Sequence, residues 1–308
     1  MRTFITHDGR SLEWPFDTIE PRDVQLAGLS KGFGRSGFAY FMRQRTGKTW
    51  TAFAEFVLLR DMGLCKWMVI VCPNSLKEQW SAAIEEADPF IPVCVYGSQT
   101  KRKTDYFFDN NTQGGVFIIN YESVKAYSRL MDVDETTLGF EPAKTYIVAD
   151  ESTKIKEPGA QSTKACIKVA ELCKFRRVLT GRPTANNNTD IWAQLKFIGE
   201  TKRNFFQHKF TFCITGGFQG QQIIKNINLE LLQGEMEPVS YIAEDRYVKG
   251  FKKSYEPMRR INLTGRLLEM YKKMQDELVF GLSDDLDITA PIILVKYLRL
   301  QQIGSGIA

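Results

Sequence analysis

Histidine is nearly absent: His7 and His208 are the only two in 308 residues. So few histidines argue against a zinc site or a histidine-based triad. Cysteine is present but unpatterned. Cys65, Cys72, Cys94, Cys166, Cys173 and Cys213 form no Cys-x-x-Cys pair, and most sit in apolar surroundings. They read as reduced core thiols, which points to a cytoplasmic chain. No apolar run approaches the roughly 20 residues that span a bilayer, so no membrane partner is expected. The start, Met1-Arg2-Thr3-Phe4, leads into polar residues rather than the apolar stretch of a signal peptide. Internal repeats and low-complexity tracts are missing too. Charge of one sign is weak: a formal +5 permits a nucleic-acid partner without demanding one.

What is there is rhythm. Short apolar runs recur, each followed by a turn and a helical stretch: 36–41, 67–72, 115–120, 145–150 and 176–181, with a shorter one at 93–96. The runs are continuously apolar rather than alternating, as strands covered on both faces should be. Helices are expected over 50–62, 76–87 and 160–173. Strands alternating with helices imply an α/β domain with a largely parallel sheet flanked by helices. Ligands gather at the carboxyl ends of such strands.

The texture changes after about residue 200. Residues 201–290 hold aromatic clusters, glycines and a basic stretch over 246–273, where nine Lys and Arg face only Glu256 and Glu269. This part is expected to be an insertion or connector. The basic stretch fits either a solvated face or a track for phosphates.

Two features carry chemistry. Thr46-Gly47-Lys48-Thr49 follows a strand and opens a helix, the setting of a phosphate-binding loop, whose backbone N–H groups favour anions. There Lys48 would reach the β and γ phosphates of ATP, and the Thr49 hydroxyl would ligate Mg²⁺. The full pattern has a glycine five residues before Gly47, where this chain has Met42. Asp150-Glu151 closes a strong apolar strand about 100 residues on. It suits a carboxylate that holds magnesium and a neighbour that polarises the attacking water. Lys48, Asp150 and Glu151 are therefore the expected catalytic residues, and Thr49 and Asp150 the metal ligands.

With these in place, the chain resembles the first, RecA-like lobe of superfamily-two helicases. It is most similar to Swi/Snf-like double-stranded DNA translocases in the short form found in phages and bacteria. The resemblance runs in order over roughly residues 20–300. Pro21-Arg22-Asp23-Val24-Gln25 resembles the glutamine motif, in which Gln25 would read the adenine edge, and Arg45-Thr46-Gly47-Lys48-Thr49 resembles motif I. Cys72-Pro73-Asn74-Ser75-Leu76 with Gln79-Trp80 is similar to motif Ia, and Ile119-Asn120-Tyr121-Glu122 to the next DNA-contacting motif. Asp150-Glu151-Ser152-Thr153 stands at motif II and Leu179-Thr180-Gly181-Arg182-Pro183 at motif III.

The resemblance implies ATP and Mg²⁺ as ligands, with Gln25, Arg45, Thr46, Gly47, Lys48 and Thr49 around the nucleotide. It implies duplex DNA as partner, touched by Asn74, Ser75, Asn120, Tyr121, Lys154 and Lys156. Asn74 and Ser75 could equally serve only as helix caps. Thr180, Gly181 and Arg182 would couple the nucleotide state to movement.

Motif II departs from the family: Ser152 and Thr153 replace a pattern that usually ends in histidine and links hydrolysis to nucleic acid. Arg182 stands where threonine is usual. The organisation expected is 1–200 as the ATP-binding lobe, 201–290 as insertion or connector, and 291–308 as the beginning of a truncated second RecA-like lobe. That second lobe, in cis or in trans, would supply further contacts and transition-state arginines.

The resulting expectation is an ATP-dependent DNA helicase or translocase motor lobe in phage replication, recombination or branch migration, placed in the host cytoplasm if phage-encoded. The alternative is a nucleotide-gated binding module without efficient hydrolysis. A small-molecule kinase would leave the motif Ia and motif III strings unexplained.

Overall fold

A computed structural model describes residues 2–97, 101–126, 141–184, 187–217 and 222–243, with a few more between 264 and 272. The chain divides into two compact units, Met1–Gly250 and Phe251–Ala308. Almost all described residues lie in the first.

The apolar runs are strands. β1 (Thr3–Ile5) and β2 (Ser11–Glu13) make a small antiparallel pair ahead of the lobe. β3 (Gly37–Phe41), β4 (Trp67–Cys72), β5 (Val93–Val95), β6 (Gly115–Asn120), β7 (Thr145–Asp150) and β8 (Phe175–Leu179) all enter one sheet. β9 (Cys213–Gly216) and β10 (Gln222–Asn226) form a separate hairpin, and β11 (Ser240–Ile242) returns to the main sheet. Its order is β11-β3-β8-β7-β4-β6-β5, and every pairing is parallel.

Continuous apolarity has its expected cause. On β4, Met68, Ile70 and Cys72 enter one core while Trp67, Val69 and Val71 enter the other. The first core lies under α1 (Asp23–Gly32), α2 (Lys48–Asp61) and α3 (Lys77–Ala87). The second lies under the helices Gln161–Leu172 and Trp192–Ile198. Both faces are covered, so neither tolerates polar alternation.

The stretch after residue 200 is more ordered than its composition suggests. It contains the helix Phe205–Phe212, the β9–β10 hairpin, the helix Leu229–Met236 and β11. β11 pairs with β3 in register Ser240↔Ala39, so part of the expected connector extends the lobe's own sheet. Three residues that gain their place by pairing leave little trace in local sequence. The expected second-lobe start at 291–308 and most of the basic stretch 246–273 lie outside the described residues.

Candidate functional site

All strands of the main sheet are parallel, so their carboxyl ends share one edge. The P-loop leaves β3, Thr180 follows β8, and Asp150 ends β7. These three strands are consecutive in the sheet. Sequence-distant motifs thereby meet at one place.

A cleft of about 880 Å³ opens there. It is lined by Gln25, Arg45, Gly47, Lys48, Thr49, Asp150 and Glu151 among others, so seven of the expected nucleotide and catalytic residues share it. Thr46 belongs to the loop but is buried beneath it, its hydroxyl donating to the Arg43 carbonyl at 2.6 Å.

The loop is held by local backbone chemistry. Gly47 adopts φ +87° and stands at the N-terminus of α2. A Cβ there would collide with Gln25 Nε2, so glycine is required by both conformation and contact. Gln25 Nε2 donates to the Gly47 carbonyl at 3.1 Å, while Gln25 Oε1 accepts from the Arg22 backbone N–H at 2.7 Å. The carboxamide is thus engaged in bracing the loop. Arg45 is left-handed at φ +63°, uncommon for a non-glycine residue. Its carbonyl accepts from the Arg22 guanidinium. Lys48 Nζ lies 3.5 Å from the Arg43 carbonyl.

Asp150 is almost fully buried, and burial pushes its carboxyl above the ordinary value, opposed by the hydrogen bond from Trp80. Trp80 Nε1 donates to Asp150 Oδ2 at 2.8 Å, and the Glu151 N–H donates to Oδ1 at 2.9 Å. Glu151 is left-handed at φ +49°, which turns the chain sharply out of β7. Among the described residues, no group of three or more His, Cys, Asp or Glu side chains could hold a metal. Thr49 and Asp150, the two expected ligands, both line the cleft.

The coupling candidates lie against the loop. The Thr180 N–H donates to the Tyr40 carbonyl of β3 at 3.3 Å, and its hydroxyl accepts from the Arg182 N–H at 3.2 Å. Gly181 sits against the Arg43–Gln44 backbone, where a Cβ would stand 3.4 Å from Arg43 Cα. Arg182 itself is exposed. Motif II and the chain after β8 are joined by a residue that sequence reasoning missed. Ser152 Oγ donates to Gln194 Oε1 at 2.8 Å, and Gln194 Nε2 donates to the Pro183 carbonyl at 2.7 Å.

The expected DNA-facing residues follow β4, β6 and β7, which are also consecutive. Asn74 and Ser75 are exposed on a 3₁₀ turn, Asn74–Leu76, that runs into α3. Neither acts as a side-chain cap: the N-cap positions are Pro73 and Leu76, without cap hydrogen bonds from their side chains. Lys154 is exposed and Lys156 half-buried. Asn120 Nδ2 donates to Glu122 Oε2 at 2.8 Å.

Tyr121 needs correction as a contact residue. It is 3% exposed, and its hydroxyl donates to the Asp150 carbonyl at 2.6 Å. Alternation out of β6 turns its ring into the core. Trp80, Trp50, Arg22, Gln79 and Glu86 also line the cleft. For Gln79 and Trp80 the signal was present in the motif Ia string, but pointed to DNA rather than to the nucleotide side.

Comparison with known proteins agrees with this layout. The SNF2-related domain family matches residues 40–303. Human DNA excision repair protein ERCC-6 is 30% identical over 155 residues, covering 48% of this chain and 10% of that protein. Protein CHROMATIN REMODELING 24 of Arabidopsis thaliana is 23% identical over 345 aligned residues, covering 94% of this chain and 30% of that protein. The chain therefore spans well under half the length of either curated relative. A Sulfolobus solfataricus SWI2/SNF2 ATPase core, solved in complex with dsDNA, shares the fold with a TM-score of 0.60. That match is 22% identical and covers 95% of this chain and 60% of that one. This chain belongs to the SNF2-related domain family, as a Swi/Snf-like RecA-type lobe.

Proposed function

We propose that this lobe binds ATP with magnesium and, together with a second RecA-like lobe in cis or in trans, drives translocation on double-stranded DNA. The observation that carries the reading is the convergence of Lys48, Thr49, Asp150 and Glu151 on one cleft from neighbouring strand ends. Lys48 and the N–H groups at the start of α2 receive the phosphates. Thr49 and Asp150 would hold the magnesium, whose charge would offset that of the phosphoryl oxygens. Glu151, beyond the sharp turn, orients the attacking water and accepts its proton. The basic residues, exposed Asn74, Ser75 and Lys154, and half-buried Lys156 engage backbone phosphates, a sequence-independent and salt-sensitive contact. The setting proposed for it is phage replication, recombination or branch migration.

ATP turnover measured with and without duplex DNA, for wild type, Lys48→Ala and Glu151→Gln, tests this. DNA-stimulated turnover abolished by either change supports the motor. Tight ATP binding with no turnover under any condition supports a nucleotide-gated module instead.

A further inference from the structure

Asp150 is the meeting point of two halves of the sheet edge. The nucleotide cleft is built on β3, β8 and β7, and the DNA-facing candidates on β7, β4 and β6. β7 belongs to both, and Asp150 is its last residue.

The chain leaving β4, next to β7, and the chain leaving β6, one strand further on, each send one buried aromatic residue to Asp150. From the β4 side, exposed Asn74 and Ser75 lead without a break through Leu76 into α3, which carries Trp80. The Trp80 indole N–H donates to Asp150 Oδ2 at 2.8 Å. From the β6 side, Asn120 ends the strand and Tyr121 follows, its hydroxyl donating to the Asp150 carbonyl at 2.6 Å. Trp80 is 2% exposed and Tyr121 3%, so the core fixes where their polar tips lie. A close-packed interior transmits displacement rather than absorbing it. A shift of the 74–76 turn or of the β6 exit that is carried into this packing would move a donor at Asp150. The carboxylate holds one hydrogen bond on each oxygen, which sets its rotamer and leaves one lone pair per oxygen for a cation.

We infer that Trp80 and Tyr121 are positioning residues that carry duplex engagement to the metal-holding carboxylate of Asp150. The inference rests on the reading that this lobe binds magnesium-ATP and duplex DNA. Coupling between two ligands is reciprocal, so it can be measured from the metal side without turnover.

The experiment is a Mn²⁺ titration, followed by electron paramagnetic resonance, of the protein with a non-hydrolysable ATP analogue, with and without a short blunt duplex. Wild type is compared with Trp80→Phe and Tyr121→Phe, which keep the rings and remove the donors. Circular dichroism and thermal melting check that each variant folds. Wild type should bind Mn²⁺ more tightly when duplex is present. Trp80→Phe should weaken Mn²⁺ binding roughly tenfold, the size of one hydrogen bond to a charged group. It should also lose the duplex effect. Tyr121→Phe should move both readouts in the same direction by a smaller factor, about threefold to fivefold, and it stands as the test if Trp80→Phe does not fold. Duplex affinity without nucleotide should be unchanged in both. A wild type that responds to duplex alongside folded variants that respond equally overturns the inference and leaves the motor reading intact. A wild type that binds Mn²⁺-nucleotide but shows no duplex effect overturns the duplex-coupled reading, and the inference with it.

Discussion

Glu55 of α2 and Arg177 of β8 meet in the core with neither side chain exposed to solvent. Arg177 Nε donates to Glu55 Oε2 at 2.9 Å, and Nη2 donates to Oε1. Tyr40 and Tyr146 add hydroxyl donors to Oε2 at 2.8 and 2.9 Å. The remaining guanidinium hydrogens reach backbone carbonyls, including those of Arg35 and Arg176 at 2.8 Å. One carboxylate therefore ties the P-loop helix to β3, β7 and β8, the three strands that build the cleft.

Breaking this pair singly leaves a buried charge without its partner. Arg177→Met or Glu55→Gln should each lose about 3–5 kcal/mol of stability. The double variant Glu55→Gln/Arg177→Met should lose clearly less than the sum of the single changes. Denaturant unfolding of the four proteins checks this. Additive losses would show that the two side chains do not act as a unit.

The P-loop offers a pair of opposite outcomes. Gly47→Ala places a Cβ against Gln25 at a left-handed backbone, so it should lose about 1–2 kcal/mol of stability together with nucleotide binding. Arg45→Gly relieves left-handed strain and should gain up to about 1 kcal/mol, while losing affinity for nucleotide as a cation leaves the cleft. Thermal melting and fluorescent-nucleotide titration read the two effects separately. Loss of stability in Arg45→Gly would contradict the strain argument.

His208 supplies the pH prediction. Burial lowers its pKa below the ordinary 6.5, and Nε2 lies 3.0 Å from the Asn188 carbonyl, so it must be the protonated nitrogen of a neutral ring. The unfolded chain takes up a proton near pH 6.5, before the folded one does. Its contribution is fully present above that pH and is lost as pH falls through the window down to the folded value. The slope for this one proton cannot exceed about 1.4 kcal/mol per pH unit. Unfolding between about pH 7.5 and 5.5 should show it, and His208→Gln should flatten the dependence. An unchanged slope would assign the effect elsewhere.

All six thiols are free and buried, and burial pushes those of Cys65, Cys72, Cys166 and Cys173 up to about 12. Thiolate is the reactive form. A thiol reagent at neutral pH should label the native protein at least about tenfold more slowly than the denatured one. Rapid native labelling at Cys72, whose strand leads into the Asn74–Leu76 turn, would show that this edge opens.

The sheet was legible because its strands advertise themselves locally. The runs 67–72, 115–120 and 145–150 have the bounds of β4, β6 and β7, since each is apolar on both faces. That Gly47, Lys48, Thr49, Asp150 and Glu151 share one cleft was legible for a related reason: each follows an apolar strand, and parallel strands end on one edge. What stayed hidden depends on partners far away in sequence. Nothing near Glu55 announces Arg177, and nothing near Tyr121 announces the Asp150 carbonyl. Asn120-Tyr121 was read as one unit, yet successive residues leaving a strand face opposite ways, and only Asn120 stays toward solvent. β11 is three residues whose identity as a strand comes from β3 beside it.

That placement of β3 bears on how the lobe is made. The first strand of the sheet to be synthesised finds no partner among its neighbours in the chain. Among the described residues β3 pairs with Phe175–Leu179 and Ser240–Ile242. During translation the P-loop strand must wait, apolar on both sides, until the chain has reached β8, and its second edge stays open until β11 appears. Such distant parallel pairings form slowly and leave exposed edges that aggregate. The small β1–β2 hairpin and α1, made earlier and packed with β3 in the same core, are the elements positioned to shelter it in the interval.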